Sequence, residues 1–453
     1  MDLKILKDKV FYKTLISLAL PIVMQNFISS ALNMVDTVMI GQLGEGAIAS
    51  VGLANQVFFL FILICFGTYS GGSIFVSQFW GKKDVANVRR SLGLSAIIGT
   101  GVAIIFTIAT VFFSKQVMGL LTSDSYTIIQ GASYLKIIGI SYIFTSLSFA
   151  YGFASRSVGN AMLPMAISAV ALGINTFLNY VLIFGNFGAP KMGVEGAAIA
   201  TVVARTIEFL LMMVAVYGKK TTLAGSFEEM TDLSEDFVKR FLKTATPVIL
   251  NEFFWSLGMV MYSVAYAKVG TKAVATVQIA NTVQNLFMVI SFGIGNASAI
   301  MLGNVLGSGD SKKAIEYSWK FTFLSFTVGA LVGILLWLMT PVILFAFNVS
   351  ENMEIQVKKV LVIMAIFMIL KTYNSTLVVG ILRSGGDTRF SLFLEMGCVW
   401  LVGVPLAFLG AVVWKLPVEK IVFLVSLEEV VKTIIGLPRV ISKKWVKNLI
   451  ENL

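Results

Sequence analysis

Long apolar stretches, separated by short polar breaks, dominate the chain from one end to the other. Each is long enough to cross a hydrocarbon layer about 30 Å thick as an α-helix. The short alternating patterns typical of β-barrel strands are missing. The pattern therefore predicts an all-α membrane protein with twelve transmembrane helices, at residues 14–40, 47–77, 90–113, 128–154, 160–184, 194–217, 241–267, 273–304, 316–340, 356–382, 389–413 and 418–438.

The polar segments between the spans indicate domain limits and orientation. The longest link, 218–240, is polar and is interpreted as a cytoplasmic linker between an N-terminal six-helix bundle, 1–217, and a C-terminal six-helix bundle with a short cytoplasmic tail, 241–453. Most of the 35 Lys and Arg residues are cytoplasmic if both termini are inside, as the positive-inside rule favours. The first span is not followed by a small-residue cleavage pattern, so we interpret it as a retained helix.

Composition excludes several classes of protein. The chain is 57% hydrophobic and 13% charged, whereas soluble proteins carry about 25% charged residues. It has no histidine, which removes histidine metal sites and histidine acid–base catalysis, and both cysteines, Cys65 and Cys398, lie in apolar spans, where a disulfide is not expected. We assign the net charge of +11 to contact with anionic lipid headgroups rather than nucleic acid, and we expect no cofactor.

The second half of the sequence resembles the first at an offset of 226 residues. "ALPIVMQNF" (19–27) aligns with "ATPVILNEF" (245–253), and "GKKD" (81–84) with "GSGD" (307–310). "RSVGNAMLP" (156–164) aligns with "RSGGDTRFS" (383–391) at an offset of 227. Six spans per half start both halves on the same side of the membrane. The repeat predicts two bundles related by a pseudo-two-fold axis along the membrane normal, an architecture of secondary transporters.

Several stretches together resemble a known family. "LALPIVMQNF…NMVDTVMIGQLG", the "RSVGN/RSGGDT" pair, "GVEGAAIAT" (193–201) and twelve spans in two repeats are similar to the multidrug and toxic compound extrusion (MATE) family. The resemblance covers essentially the whole chain. It implies an antiporter of the plasma membrane, in bacteria the inner membrane, that exports amphiphilic, often cationic organic compounds as sodium ions or protons enter. The expected partners are these substrates and membrane lipids, and the expected state is a monomer.

Among the charged residues of the predicted spans, where a charge at the bilayer centre costs roughly 2.5–3.5 kcal/mol, ten are candidates for a function: Asp36, Lys136, Arg205, Glu208, Glu252, Lys371, Glu395, Glu428, Glu429 and Lys432. Asp36 lies in the outer half of the first span, which has no Lys or Arg beyond Lys13. A carboxylate removed from water holds a proton more strongly. Asp36 is therefore a candidate site for a proton or, with further oxygen ligands, for a sodium ion.

Polar residues of the fifth and sixth spans are candidate partners of Asp36. Asn175 and Asn179 are one helical turn apart and share a face, and Thr201 follows in the sixth span. The resemblance implies that a first-helix aspartate works with an Asn and an Asp of the fifth helix. Asp36 and Asn175 match this pattern, whereas Asn179 replaces the second acid. Simple interhelical hydrogen bonding is the alternative interpretation of the Asn and Thr residues.

The C-terminal half offers a different set of candidates. Glu252 resembles an acid of the seventh helix that some family members use for coupling, and Lys371 is its candidate charge partner or switch. Static packing explains this pair equally well. Pro21 and Pro247 occupy equivalent places and are candidate hinges, since proline removes a helix hydrogen bond. A fixed kink is the alternative.

Two other functions remain open from the sequence. A flippase for lipid-linked saccharides belongs to the same broader superfamily, but flippases there often have extra spans and a markedly cationic cavity. A membrane-embedded enzyme is the less favoured alternative, because no histidine, paired acid or nucleophile motif stands at a membrane face. We therefore assign no catalytic residue.

Overall fold

The computed structural model describes residues 8–345 and 351–451, which form helices and turns without a strand. Most of the described residues belong to twelve long helices: α1 (Lys9–Gly41), α2 (Glu45–Lys82), α3 (Val85–Phe112), α4 (Ser125–Ile138 and Ser141–Ser157), α5 (Met162–Phe184), α6 (Gly193–Gly218), α7 (Glu235–Val269), α8 (Thr271–Gly307), α9 (Ser311–Phe345), α10 (Glu351–Ser375, continued by Thr376–Leu382), α11 (Thr388–Val413) and α12 (Val418–Ile441).

Each of the twelve predicted spans overlaps one of these helices. Nine helices of the described ranges are long and apolar enough to cross a membrane, and α4 makes a tenth if its two parts are one span. The parts of α4 meet at 50°. Hydroxyl groups bond the backbone at this bend, because Ser141 donates to the carbonyl oxygen of Ile138 over 2.7 Å and Thr107 to that of Gly139 over 2.9 Å.

The polar link between the halves is partly helical, because α7 begins at Glu235, inside the range 218–240. Two ion pairs, each between residues one helical turn apart, stabilise the start of α7. Lys239 Nζ lies 2.5 Å from Glu235 Oε1, and Arg240 Nε lies 2.9 Å from Asp236 Oδ2. Some of the charged residues that predicted a linker therefore lie in the solvent-facing first turns of α7.

A short helix, Phe227–Thr231, precedes α7 and has a capping box. The backbone N–H of Ser226 donates to Glu229 Oε2 over 2.8 Å, and the backbone N–H of Glu229 donates to Ser226 Oγ over 3.2 Å. Arg89 of α3 also lies 2.8 Å from Glu229 Oε1. The Ser226 hydrogen bond and the Arg89 guanidinium hold the pKa of Glu229 below its ordinary value.

Contacts divide the chain into two compact units. We call them the N unit (Met24–Trp80 and Asp84–Ala245) and the C unit (the chain up to Val23, Gly81–Lys83, and the chain from Thr246). The helices α1 and α7 contribute to both units, and each changes unit two residues from its proline, Pro21 or Pro247. The predicted bundle limits at 217 and 241, and the hinge role of the prolines, stay predictions.

Small residues and close side-chain packing hold the helices of each unit together. In the N unit, a Cβ added at Gly71 would lie 2.8 Å from the Cα of Ala245, so glycine is needed for the approach of α2 to α7. In the C unit, Leu361 of α10, Val399 of α11 and Ile421 of α12 belong to one fully buried apolar cluster.

The internal repeat is also visible in the backbone. The turn after α2, "GKKD", has Lys83 at φ 63°, and the matching turn after α8, "GSGD", has Gly309 at φ 84°. Both residues adopt the left-handed conformation, which costs an L-residue about 1–2 kcal/mol but costs glycine little. The two halves therefore use the same turn, and Lys83 carries strain that Gly309 avoids.

Candidate functional site

Four side chains predicted from the sequence lie together within the N unit. The amide nitrogen of Asn179 donates to Asp36 Oδ1 over 2.5 Å and to Asn175 Oδ1 over 3.1 Å. The amide nitrogen of Asn175 donates to Thr201 Oγ1 over 3.3 Å, and Thr201 donates to the carbonyl oxygen of Ala197 over 3.0 Å. One hydrogen-bonded chain therefore joins α1, α5 and α6.

Local sequence explains how these helices come together. Asn175 and Asn179 are one turn apart on α5 and therefore face the same way. Gly196, in the "GVEGAAIAT" stretch of α6, packs on the backbone of α5, where an added Cβ would lie 2.6 Å from the carbonyl oxygen of Leu182. This close approach brings Thr201 within hydrogen-bonding distance of Asn175.

Burial leaves one acceptor of this chain unsatisfied. The side chains of Asn175 and Asn179 are both buried, and Asn179 Oδ1 has no hydrogen-bond partner within the described residues. A buried polar atom without a partner costs about 1–3 kcal/mol. A proton on Asp36 or a bound cation would supply the missing partner. The chemistry of the donor set, a carboxylate, two amides and a hydroxyl, suits either ion.

A second polar cluster lies within the C unit and contains Glu252. Glu252 Oε1 lies 2.7 Å from Arg383 Nη2, and the same guanidinium nitrogen lies 3.9 Å from Glu395 Oε2. The amide nitrogen of Asn251, which precedes Glu252, donates to Glu395 Oε2 over 2.5 Å. This cluster joins α7 to the end of α10 and to α11.

The cluster continues onto α12. Lys432 Nζ lies 3.9 Å from Glu395 Oε1 and 3.7 Å from Glu429 Oε2. Asn374 of α10 donates to Glu429 Oε2 over 2.7 Å and accepts a hydrogen bond of 3.0 Å from the hydroxyl of Thr433. The charges of this cluster therefore form a network across four helices, α7, α10, α11 and α12, in which Glu252, Glu395 and Glu429 each have a donor.

Glu428 occupies a distinct place in this cluster. Its carboxylate accepts a hydrogen bond from the hydroxyl of Tyr262, which aligns with Asp36 in the internal repeat. Gly403, within a π-helical part of α11, leaves room for both groups, since an added Cβ would meet the Tyr262 hydroxyl and the Glu428 carboxylate. Glu428, a buried acid of α12, thus lies next to Tyr262, the residue that aligns with Asp36 in the repeat.

The structure corrects the predicted partner of Glu252. Lys371 donates instead to Gln284 Oε1 of α8 over 3.0 Å, and Arg383 takes the place beside Glu252. Within the described residues, no ion pair joins Lys371 to Glu252. Arg383 begins the "RSGGD" stretch, just past the predicted end of its span at residue 382. It is therefore not among the charged residues predicted inside the spans, although it belongs to the aligned repeat.

The described residues contain no group of three or more His, Cys, Asp or Glu side chains that could hold a metal ion. A sodium ion at Asp36 would therefore depend on the amide and hydroxyl oxygens named above, and it would be cargo rather than a resident cofactor. The coupling roles of these residues and of Glu252 stay predictions.

Relatives of this chain are transport proteins. It is 24% identical over 407 residues to "Uncharacterized transporter YisQ" of Bacillus subtilis, covering 89% of this chain and 88% of that protein. It is 25% identical over 397 residues to "Probable multidrug resistance protein NorM" of Thermotoga maritima, covering 87% and 85%.

Solved structures share the fold. One described as "Crystal structure of MATE in complex with MaL6" has a TM-score of 0.87 at 18% identity and covers 95% of this chain and 97% of its own. The fold of twelve transmembrane helices in two six-helix bundles is confirmed. The sequence model of the family MatE matches residues 21–181 and 247–409, and these matches begin 226 residues apart, the offset of the internal repeat. The chain belongs to the MatE family.

Proposed function

We propose that the protein is a secondary active multidrug efflux antiporter. It exports amphiphilic, often cationic organic compounds by alternating access and couples their export to the entry of sodium ions or protons. It works in the plasma membrane, the inner membrane in bacteria, with both termini in the cytoplasm. The family membership and the multidrug resistance proteins among the relatives support this proposal.

The observation that carries the proposal is the hydrogen-bonded chain from Asp36 through the buried Asn179 and Asn175 to Thr201. Asp36 is held by an amide donor, and the carbonyl oxygen of Asn179 has no partner within the described residues. An ion that enters from outside binds here and satisfies this oxygen. The ion leaves again when the Asp36 carboxylate is exposed to water. The ion-occupied and ion-free states of the site therefore favour different conformations of α1.

A flux experiment tests this function. The protein is reconstituted into vesicles, and efflux of ethidium is followed under an imposed proton gradient, an imposed sodium gradient, or neither. We expect one of the gradients to drive efflux. Asp36→Asn and Glu252→Gln each remove a proposed coupling acid, and we expect both to reduce gradient-driven efflux at least tenfold.

Glu354→Gln, at the exposed start of α10, is the matched control and should transport normally. Ethidium efflux that no gradient accelerates would refute the antiporter. Normal transport by both Asp36→Asn and Glu252→Gln would refute the assigned residues.

A further inference from the structure

The N unit contains a second polar chain, which includes the first helix. Arg156 of α4 donates to Gln25 Oε1 of α1 over 2.8 Å, and the amide nitrogen of Gln25 donates to Ser168 Oγ of α5 over 3.0 Å. Ser168 donates in turn to Glu208 Oε1 of α6 over 2.9 Å, and Glu208 Oε2 lies 2.8 Å from Arg205 Nη1. The one carboxylate of this chain therefore has a guanidinium partner.

The C unit repeats this chain with additional acids. At offsets of 226 and 227, Gln25 aligns with Asn251, Arg156 with Arg383 and Ser168 with Glu395. Asn251 and Arg383 both contact Glu395 Oε2, as their counterparts in the N unit both contact one another. A carboxylate thus replaces the Ser168 hydroxyl, and Glu252 adds another carboxylate beside Arg383.

The ion pair of α6 is present on α12 with its charges reversed. Aligning the Val-Glu pairs near the start of the two helices (194–195 and 418–419) places Arg205 on Glu429, Glu208 on Lys432 and Ala204 on Glu428. Lys432 Nζ lies 3.7 Å from Glu429 Oε2, which is again an i, i+3 pair. Glu428 falls on an alanine, so it is an acid that the C unit has in addition.

Glu428 differs from the other acids of the cluster in its partner. Glu252, Glu395 and Glu429 each lie within 3.9 Å of a guanidinium or ammonium nitrogen, whereas Glu428 forms no ion pair with any residue that the structure describes. Its partner is the hydroxyl of Tyr262, a neutral group. The side chains of Tyr262 and Glu428 are each only 5% exposed, so water does not replace the missing cation.

The charges around Glu428 do not balance without a proton. Four acids share three cations: Glu252, Glu395, Glu428 and Glu429, with Arg383, Lys432 and Lys371. Lys371 of α10 acts on Glu428 through its charge alone, since its ammonium group donates to Gln284 Oε1. Two further titratable neighbours, Tyr266 of α7 and Cys398 of α11, are uncharged at neutral pH. A buried carboxylate without a paired cation becomes neutral instead.

We propose that Glu428 and Tyr262 form a reversible proton-binding site of the C unit, in which Glu428 carries the proton at neutral pH. The Tyr262 hydroxyl donates to the carbonyl oxygen of the protonated carboxyl group. Tyr262 aligns with Asp36, so the acid of this site comes from α12 and not from the helix that repeats α1. Glu395, which is 16% exposed and lies 3.9 Å from Lys432, connects the cluster to an accessible surface for proton exchange.

Infrared spectroscopy of the purified protein at neutral pH tests the proposal, because a protonated carboxyl group has a carbonyl stretching band that a carboxylate lacks. Glu428→Gln should remove one such band. Asp387→Asn is the matched control. Asp387 is also buried in the C unit, but its carboxylate is paired with Arg439 and Lys447, so this variant should keep every band.

A second variant places the proton. Loss of the band in Glu428→Gln is not sufficient, because removal of any one acid also balances the cluster. Tyr262→Phe removes only the hydroxyl, and the band should move to higher frequency because the carbonyl oxygen of Glu428 loses its hydrogen bond. In the unaltered protein, transfer into D2O should move the band to lower frequency, since a reversible site exchanges its proton for a deuteron.

Equal protonated-carboxyl signals in Glu428→Gln and the unaltered protein would overturn the proposal. An unshifted band in Tyr262→Phe would place the proton on another acid, and a band that D2O leaves unchanged would exclude reversible binding; either result also overturns it. These measurements use neither ethidium nor a gradient. Their failure therefore leaves the proposed antiporter standing, and a failed flux experiment leaves the proton site standing.

Discussion

Removal of the Arg383 guanidinium tests the charge network of the C unit. Arg383→Met leaves the Glu252 carboxylate without the nitrogen that lies 2.7 Å from it. The side chains are 3% and 13% exposed, so water screens the pair little. Loss of one partner from a buried ion pair lowers the free energy of unfolding by about 3–5 kcal/mol.

Two buried atoms of Arg383 offset part of this loss. Arg383 Nε and Nη1 are buried without hydrogen-bond partners in the part of the chain that the structure describes. Each such atom costs about 1–3 kcal/mol, and the variant removes both costs, which recovers at least about 2 kcal/mol. We therefore expect Arg383→Met to lower the free energy of unfolding by about 1–3 kcal/mol.

A double variant, in which Glu252 is changed as well, separates the effect of the lost charge from the effect of altered packing. Adding Glu252→Gln to Arg383→Met removes the stranded carboxylate and should bring the free energy of unfolding to within about 1 kcal/mol of the unaltered protein. Unfolding is measured in mixed detergent micelles by tryptophan fluorescence. Arg389→Met, at an exposed arginine of α11, is the control and should change stability by less than about 0.5 kcal/mol. A double variant as unstable as the single one would refute the electrostatic explanation.

Three further predictions concern single positions. Gly403→Ala places a methyl group against Glu428 and should lower the free energy of unfolding by about 1–3 kcal/mol, whereas Gly397→Ala, with open space around it, should not destabilise the protein in the same unfolding assay. Lys83→Gly relieves the left-handed backbone and should raise the unfolding free energy by about 0.5–1 kcal/mol, measured by the unfolding midpoint; an unchanged or lower midpoint contradicts this. Because the pKa of Glu229 is lowered, its contribution is complete above the ordinary value of 4.5 and is lost as pH falls through the lowered pKa. The stability difference between Glu229→Gln and the unaltered protein should therefore shrink as an acid titration proceeds below 4.5. A difference that grows in acid would contradict this assignment.

The sequence predicted features that depend on local spacing. Apolar runs mark membrane helices because lipid excludes unpaired backbone groups, and the one-turn spacing of Asn175 and Asn179 puts both amides on one face. Contacts between distant helices could not be predicted in this way. Arg383 and Lys371 are equally cationic in the sequence, and only the packing of α7 against the end of α10 decides which one meets Glu252. The α4 bend was also missed, because hydroxyl bonds to the backbone replace the proline signal there.

The two halves anchor their proline-containing helices in the same way but with different chemistry. In the N unit, Arg156 of α4 donates to Gln25 Oε1 of α1 over 2.8 Å, and in the C unit the repeat-related Arg383 pairs with Glu252 of α7. Both contacts lie about one turn past the proline, whose missing N–H removes a backbone hydrogen bond in the preceding turn. The Arg156–Gln25 hydrogen bond has one charged partner, whereas the Arg383–Glu252 contact has two, so the first contact costs less to break than the buried ion pair. In the proposed antiporter, a change of ionisation at Asp36 would therefore act on the half whose proline-containing helix is held less tightly.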